Sequence, residues 1–411
     1  MDPHSTSWSG LRSDLLLNIA NRLDSRIDRL CFRAVCYSWR SVLPTPSRRS
    51  ASPSPPLKLP FPMGSNPHRN RRRRGYFNLV ESTVYCIQPL KKISDTWKTS
   101  KCWLIRIEET KEPGKVRLMD PLSRLESENL SPRLPRGLNL LDYRASEITK
   151  VYDLRFVGNS KIPELDFPEV LSVHVMKVAV CSEGAGFAVM AIDTAGQLSI
   201  WRKGDKKWNR ISNGREGAFY NDVVYHNAKF YAVDDSGLTI SVDLSLKITL
   251  VTPAMTRPGY NRHNSLAKRL VSSLGDLFLL DRDFDPENEF LAGFNSDSDE
   301  DVLPTYFHVY KLNEEKRKWV SVKSLGNRVM FVGDHCTFSV SAQEYRGCKK
   351  NCIYYNERGS FCGDLVEYHP GGDAALFDMD DCSAKMLSGV FSYSGLFWPP
   401  PSWIVTGVAT R

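Results

Sequence analysis

The chain has 411 residues, room for two or three domains, and its 41% apolar and 25% charged residues exclude a wholly disordered protein. The formal net charge is +8, yet the stretch from Pro44 to Gly75 alone holds seven Arg, one Lys and no acidic residue. The remainder is balanced, which argues against a folded domain with a basic nucleic-acid-binding face. No run approaches the roughly 18 apolar residues of a membrane span. The short polar N-terminus lacks the apolar core of a signal peptide. The ten Cys are therefore expected to stay reduced in the cytoplasm or nucleus, as small buried hydrophobes.

Residues 8–43 show helical periodicity. Leu15, Ile19 and Leu23 recur every four residues, with Leu16 and Ala20 beside them. Ser13 is the expected N-cap, with Asp14 in the first turn. Ser25 would cap a second helix whose apolar side is Ile27, Leu30, Cys31, Ala34 and Val35. A short third helix would carry Trp39, Val42 and Leu43. Three helices this short cannot bury all of their apolar surface, so part of it is expected to meet a partner.

Residues 44–75, with eight Pro and five Ser, read as an extended or disordered linker. They contain the basic residues Arg69, Arg71, Arg72, Arg73 and Arg74. Three readings stay open: a nuclear localisation signal, a non-specific anion contact, or a solvated linker. No aromatic residue interleaves the run, which weakens nucleic-acid binding.

From about 76 to 406 the pattern changes to short strands split by Gly, Asp and Asn turns. Ala188–Trp201 and Phe230–Val242 each read as strand, Asp-x-x-Gly turn, strand, and the turn glycines Gly196 and Gly237 are 41 residues apart. A third hairpin, Leu270 to Asp281, turns at Gly275, 38 residues further on. Tyr306–Val322 fits as the next unit. A hairpin every 40 residues or so is the sequence of a β-propeller, whose blades cover their faces only against neighbouring blades. An unrelated β-sandwich or barrel remains the alternative. Strand-like runs at Tyr76–Ile87, Cys102–Ile107 and Val173–Cys181 show no repeat.

The first region resembles the F-box family. Trp8-Ser-Gly-Leu11-Arg-Ser-Asp-Leu15-Leu16-Leu-Asn-Ile19-Ala-Asn-Arg-Leu23 is followed by Leu30-Cys-Phe-Arg33-Ala-Val35-Cys36-Tyr-Ser-Trp39-Arg40-Ser-Val42. Arg12 stands where the family has proline. The rest is similar to a plant-specific F-box subfamily with a propeller-like C-terminal domain of unknown function. That likeness lies in stretches such as Phe307-His-Val-Tyr-Lys-Leu312, Asp334-His-Cys-Thr-Phe-Ser-Val-Ser341, Gly347-Cys-Lys-Lys-Asn-Cys352 and Leu396-Phe-Trp-Pro-Pro-Pro-Ser-Trp403. The resemblance implies an α+β multidomain chain: an all-α three-helix F-box at 8–43, the linker at 44–75, and a mainly-β, propeller-like substrate-recognition domain at 76–406. It implies a non-catalytic receptor subunit of a Skp–cullin–F-box ubiquitin ligase. Leu11, Leu15, Leu16, Ile19, Leu23, Leu30, Val35, Cys36, Trp39 and Val42 would form the F-box. Some of these would face inward, and some would meet the Skp-type adaptor that brings cullin and RING subunits. A nuclear interaction module without ligase activity is the alternative.

Other candidate chemistry is weaker. No zinc-protease, nucleophile-elbow or phosphate-loop motif occurs. Asp281, Asp283 and Asp285 have the spacing of a calcium loop, but Pro286 and Ala292 stand where that loop needs Gly and Glu. Cys348, Cys352, Cys362 and Cys382 lack a regular zinc spacing, so no metal or other cofactor is expected. Ser296 and Ser298 lie in an acidic stretch suited to an acidophilic kinase. Trp201, Trp208, Trp319, Trp398 and Trp403 read as packing residues rather than a recognition groove. Pro399–Pro401 cannot sit in a central strand.

Overall fold

A computed structural model describes residues 8–23, 26–43, 57–61, 75–90, 101–110, 115–122, 142–158, 175–182, 186–212, 214–215, 217–255, 265–284, 305–333, 335–345, 347–356, 374–387, 396–397 and 400–405. Three helices come first: α1 (Ser13–Ala20), α2 (Arg26–Ala34) and α3 (Tyr37–Val42), preceded by a 3-10 turn at Trp8–Gly10. Leu16, Ala20 and Phe32 are buried between them, with Leu11, Leu23, Trp39, Val42 and Leu43 packed around.

The β-rich region is a five-bladed propeller. Blade 1 comprises β1 (Leu57–Pro60), β2 (Gly75–Pro89), β3 (Trp103–Glu109), β4 (Val116–Met119) and β5 (Tyr143–Gly158). Blade 2 comprises β6 (Val175–Cys181), β7 (Ala188–Asp193), β8 (Leu198–Arg202) and β9 (Asn209–Arg210). Blade 3 comprises β10 (Tyr220–His226), β11 (Lys229–Asp234), β12 (Thr239–Val242) and β13 (Ile248–Thr252). Blade 4 comprises β14 (Ser265–Ser273), β15 (Asp276–Phe284), β16 (Thr305–Asn313) and β17 (Lys318–Ser321). Blade 5 comprises β18 (Arg328–Val332), β19 (Thr337–Ser341), β20 (Cys352–Asn356), β21 (Ala374–Asp378) and β22 (Ser383–Met386).

The Asp-x-x-Gly hairpins link the second and third strands of blades 2 and 3. Asp193 accepts from the backbone N–H of Ala195 and Gln197, and Asp234 does the same for Ser236 and Leu238. The closing glycines sit at φ +69° and +81°, where a side chain is strained. The hairpin at Gly275 belongs to a different phase, joining the first and second strands of blade 4. The Tyr306–Val322 hairpin is the outer pair of that same blade, not the next unit.

Two further expectations are corrected. Segment 44–75 is not wholly a linker, because Leu57–Pro60 forms β1 and pairs with β2 from Leu57↔Leu79 to Pro60↔Tyr76. Leu59 is buried there, which gives the strand an apolar reason to dock. Ser13 does not cap α1: Arg12 takes the N-cap position with extended backbone and no side-chain cap, and its guanidinium pairs with Asp14 at 2.9 Å. Ser25 lies outside the described residues.

The ring closes between blades 5 and 1. One core runs through both, from Val84, Cys86 and Leu104 to Val329, Phe331 and Tyr354. The C-terminal segment then crosses blade 1. The Leu104 N–H donates to the Leu396 carbonyl, Trp103 Nε1–H to Phe397 O at 2.7 Å, and Tyr143 O–H to Trp403 O at 3.0 Å. Pro400 and Pro401 are buried ahead of the last helix, α4 (Ser402–Val405), so this end of the proline run closes the domain rather than running over its surface.

Candidate docking surfaces

The structure sorts the ten F-box residues by what they touch. Leu16 is buried, and Leu11, Leu23, Trp39 and Val42 complete the core around it. Trp39 packs against Phe32 with ring centroids 4.6 Å apart and the rings tilted by 42°, and donates Nε1–H to the Trp8 carbonyl, so it joins α3 to α2 and to the 3-10 turn. Leu15, Ile19, Leu30 and Val35 point outward, with Leu15 45% exposed. Cys36 is half-buried at the start of α3.

Leu17, Tyr37 and Trp8 add further exposed apolar surface. The inward residue of α2 is Phe32, whereas the stripe Leu30, Cys31, Ala34 and Val35 faces solvent. Spacing alone could not separate these two faces, since both carry apolar side chains. The excess of outward apolar residues was the legible signal.

The propeller's inner strands, β5, β6, β10, β14 and β19, line a central cavity of about 330 Å³. Side chains stitch these strands across blades. Asp222, fully buried on β10, accepts from the Leu270 N–H of β14 at 2.7 Å and pairs with Lys177 of β6 at 3.1 Å. One carboxylate thus ties three blades. Thr337 Oγ1–H donates to Leu270 O, and Ser339 and Ser273 share a hydrogen bond. His226 Nδ1 lies 2.8 Å from Ser272 Oγ, and burial lowers the histidine's pKa. Arg106 pairs with Asp153 at 2.6 Å inside blade 1, and Lys268 with Asp281 at 2.8 Å inside blade 4. Burial pushes the Cys336 thiol up to about 11. Periodicity does not report such ion pairs, because each partner sits in an ordinary strand.

Asp281 and Asp283 lie on β15, and Asp281 is neutralised by Lys268 rather than set in a calcium loop. Cys348 is buried with Cys102 in the core shared by blades 1 and 5, while Cys352 donates to the Lys350 carbonyl. Among the described residues no group of three or more His, Cys, Asp or Glu is placed to hold a metal. Trp201, Trp208 and Trp403 are buried, and Trp319 Nε1–H donates to Thr239 Oγ1. Asp285, Ser296, Ser298, Cys362, Trp398 and Arg69 with Arg71–Arg74 fall outside the described residues.

Comparison with known proteins places this architecture. The chain is 29% identical to F-box protein SKIP23 of Arabidopsis thaliana over 97% of its own length and 96% of the relative's. It is 28% identical to putative F-box protein At5g60060 (82% and 84% covered) and 27% to F-box protein At2g17036 (97% and 95%), both of the same plant. A solved structure of YCF48 bound to D1 peptide aligns over 54% of this chain and 62% of that one, at 10% identity and a TM-score of 0.24, too remote to carry an argument. Residues 76–391 match the KIB1-4 beta-propeller family. That match spans most of the chain, and the chain belongs to the KIB1-4 beta-propeller family, its propeller preceded by an F-box.

Proposed function

We propose that the chain is the substrate-receptor subunit of a Skp–cullin–F-box ubiquitin ligase. The carrying observation is the three-helix module that closes its own small core yet leaves Leu15, Ile19, Leu30 and Val35 outside. Apolar side chains left on the outside of so small a unit mark a protein interface. The F-box names of the relatives support the same reading. The adaptor brings cullin and RING subunits. The propeller binds the target protein, and catalysis comes from proximity to the ubiquitin donor rather than from residues of this chain. The basic residues at 69–74 would direct part of the population to the nucleus, the rest remaining cytoplasmic.

Reconstitution with a purified plant Skp adaptor tests this. Wild type should co-elute with the adaptor and then with cullin and RING. Leu15→Asp with Ile19→Asp should abolish co-elution while circular dichroism stays unchanged. Retained co-elution in that folded variant would sink the docking assignment. One observation favours the non-ligase alternative: Arg12 sits exposed where the family's proline would, already paired with Asp14. Adaptor affinity restored by Arg12→Pro would attribute weak docking to that residue.

A further inference from the structure

Among the exposed large apolar side chains of the described residues, Leu274 combines two costs. It is 83% exposed, and it sits at φ +51° in the two-residue turn between β14 and β15, followed by Gly275 at φ +81°. Both central residues of such a turn need left-handed backbone, which favours Asn, Asp or Gly and strains leucine. Neither the strain nor the exposure helps the propeller fold. A residue held so against both preferences points to a contact outside the chain.

The surroundings give that contact a chemistry. Hydrogen bonds pair β10 with β14 (Asp222 to Leu270, His226 to Ser272) and β14 with β19 (Leu270 to Thr337, Ser273 to Ser339) in rising order. These inner strands therefore run the same way, and their far ends share one end of the propeller. The turns at Asn227–Ala228 and Leu274–Gly275 lie there, as does the β16–β17 turn, whose Glu314 accepts from Tyr231. Next to Leu274, one carboxylate, Asp276, is shared by two cations, Lys311 and Arg328. The same end presents Lys229 and Lys247 in blade 3 and exposed Lys316, Arg317 and Lys318 in blade 4, against Asp243, Glu314 and Glu315 there and Asp380 and Asp381 in the β21–β22 turn of blade 5. The opposite end carries the Asp193 and Asp234 turns with Asp235, the buried Asp234 being paired with Arg215.

We propose that the propeller end bearing the Leu274 turn is the target-docking face, and that it takes an acidic segment of the target with a large apolar side chain seated on Leu274. This rests on the receptor reading above and names the part of the propeller that serves it. The cations supply attraction and orientation, and the leucine supplies the anchor that desolvates.

The test uses the full chain and a fluorescein-labelled peptide of Asp and Glu flanking one Phe, read by anisotropy. The wild type should bind it, more weakly as salt rises. Replacing the peptide's Phe by Ser, or its acids by Lys, should remove binding. Leu274→Asn should weaken binding by about tenfold or more while Tm holds or rises, because Asn-Gly suits the turn better than Leu-Gly. Lys316→Glu with Lys318→Glu should weaken it without loss of fold. Equal binding by Leu274→Asn, equal binding of the Lys peptide, or no binding by wild type would each overturn the assignment. Adaptor co-elution of the same preparations separates the two readings. Intact co-elution alongside an overturned peptide result leaves the receptor standing and removes this face. Absent co-elution by wild type removes the receptor reading whatever the peptide does.

Discussion

Replacing Asp222 by Ala should cost the propeller about 4 kcal/mol, although the residue touches no surface. The carboxylate is fully buried, and its partner Lys177 is only 5% exposed at 3.1 Å. Removing one member of such a pair leaves a buried charge uncompensated, typically about 3–5 kcal/mol. The Leu270 N–H, held at 2.7 Å, also loses its acceptor, roughly 1–3 kcal/mol in isolation. Both losses relax through the same cavity, so they should not add in full. Asp222→Asn keeps an acceptor for Leu270 but strands Lys177, and should cost about 3 kcal/mol. Lys177→Met with Asp222→Asn removes both charges and should return to within about 1 kcal/mol of wild type. Urea unfolding followed by tryptophan fluorescence reads all three, with Trp201, Trp208 and Trp319 reporting on blades 2 to 4. A loss below about 1 kcal/mol for Asp222→Ala, or a double variant no more stable than Asp222→Asn, would refute a carboxylate that joins three blades.

In the F-box, Leu16→Ala should unfold the three helices, a buried leucine costing about 2–5 kcal/mol, whereas Leu15→Ala at the exposed neighbour should leave helicity intact and weaken adaptor binding; circular dichroism and co-elution separate the two. Deleting residues 396–411 removes the bonds from Trp103, Leu104 and Tyr143, so the propeller should melt at lower temperature in differential scanning calorimetry. Its folded-state pKa lowered by burial, His226 resists protonation in the fold but not in the unfolded chain. Stability should therefore fall as pH drops below about 6.5, less steeply in His226→Gln, by urea titration across that range. For Cys336 the sign runs the other way. Its folded pKa of about 11 exceeds the ordinary 9.0, so its contribution is intact below pH 9 and lost as pH rises toward 11; at neutral pH iodoacetamide should label exposed Cys31 and Cys382 well before Cys336.

The propeller was legible where its blades repeat a local device. Asp193 and Asp234 each fold a turn through their own carboxylate, and a turn written in four residues survives in sequence. In blade 4 the corresponding junction runs from Phe284 to Thr305, so no short turn marks it, and spacing alone gives the neighbouring hairpin at Gly275 the same phase. Blade 1 escaped altogether. Its strands β2 and β5 are 15 and 16 residues long, and its innermost strand comes last in the chain rather than first. Blade 5 inverts order as well, with β18 preceding the inner β19 and running parallel to β20. Order within a blade is set by which edges pair, a non-local property that spacing does not record. At the F-box, composition announced that apolar surface would be left over, but only packing told Leu16 from Leu15.

The strand Leu57–Pro60 alters what the basic residues can do. As a free linker, residues 44–75 would let Arg69–Arg74 sample a wide volume between two domains. Instead Pro60 is registered against Tyr76, so residues 61–74 begin and end on neighbouring strands of blade 1. The Trp208 indole donates to the Pro60 carbonyl at 2.8 Å, and Phe61 packs against Phe77 and Phe156, which fixes the entry to this connection on the propeller. The segment holding the basic residues is thus joined at both ends to blade 1 of the propeller, and only residues 44–56 are left to span from α3 to β1. A receptor reader that recognised the run would hold the propeller close, while the F-box kept its own short leash. Inserting a flexible Gly-Ser stretch after Pro55 should therefore alter the reach of the F-box and spare the nuclear import proposed for the basic run. Inserting it after Pro67 should leave adaptor geometry unchanged. Fluorescence imaging and reconstituted ubiquitination of a tethered target distinguish the two, and equal effects from both insertions would contradict a run anchored on blade 1.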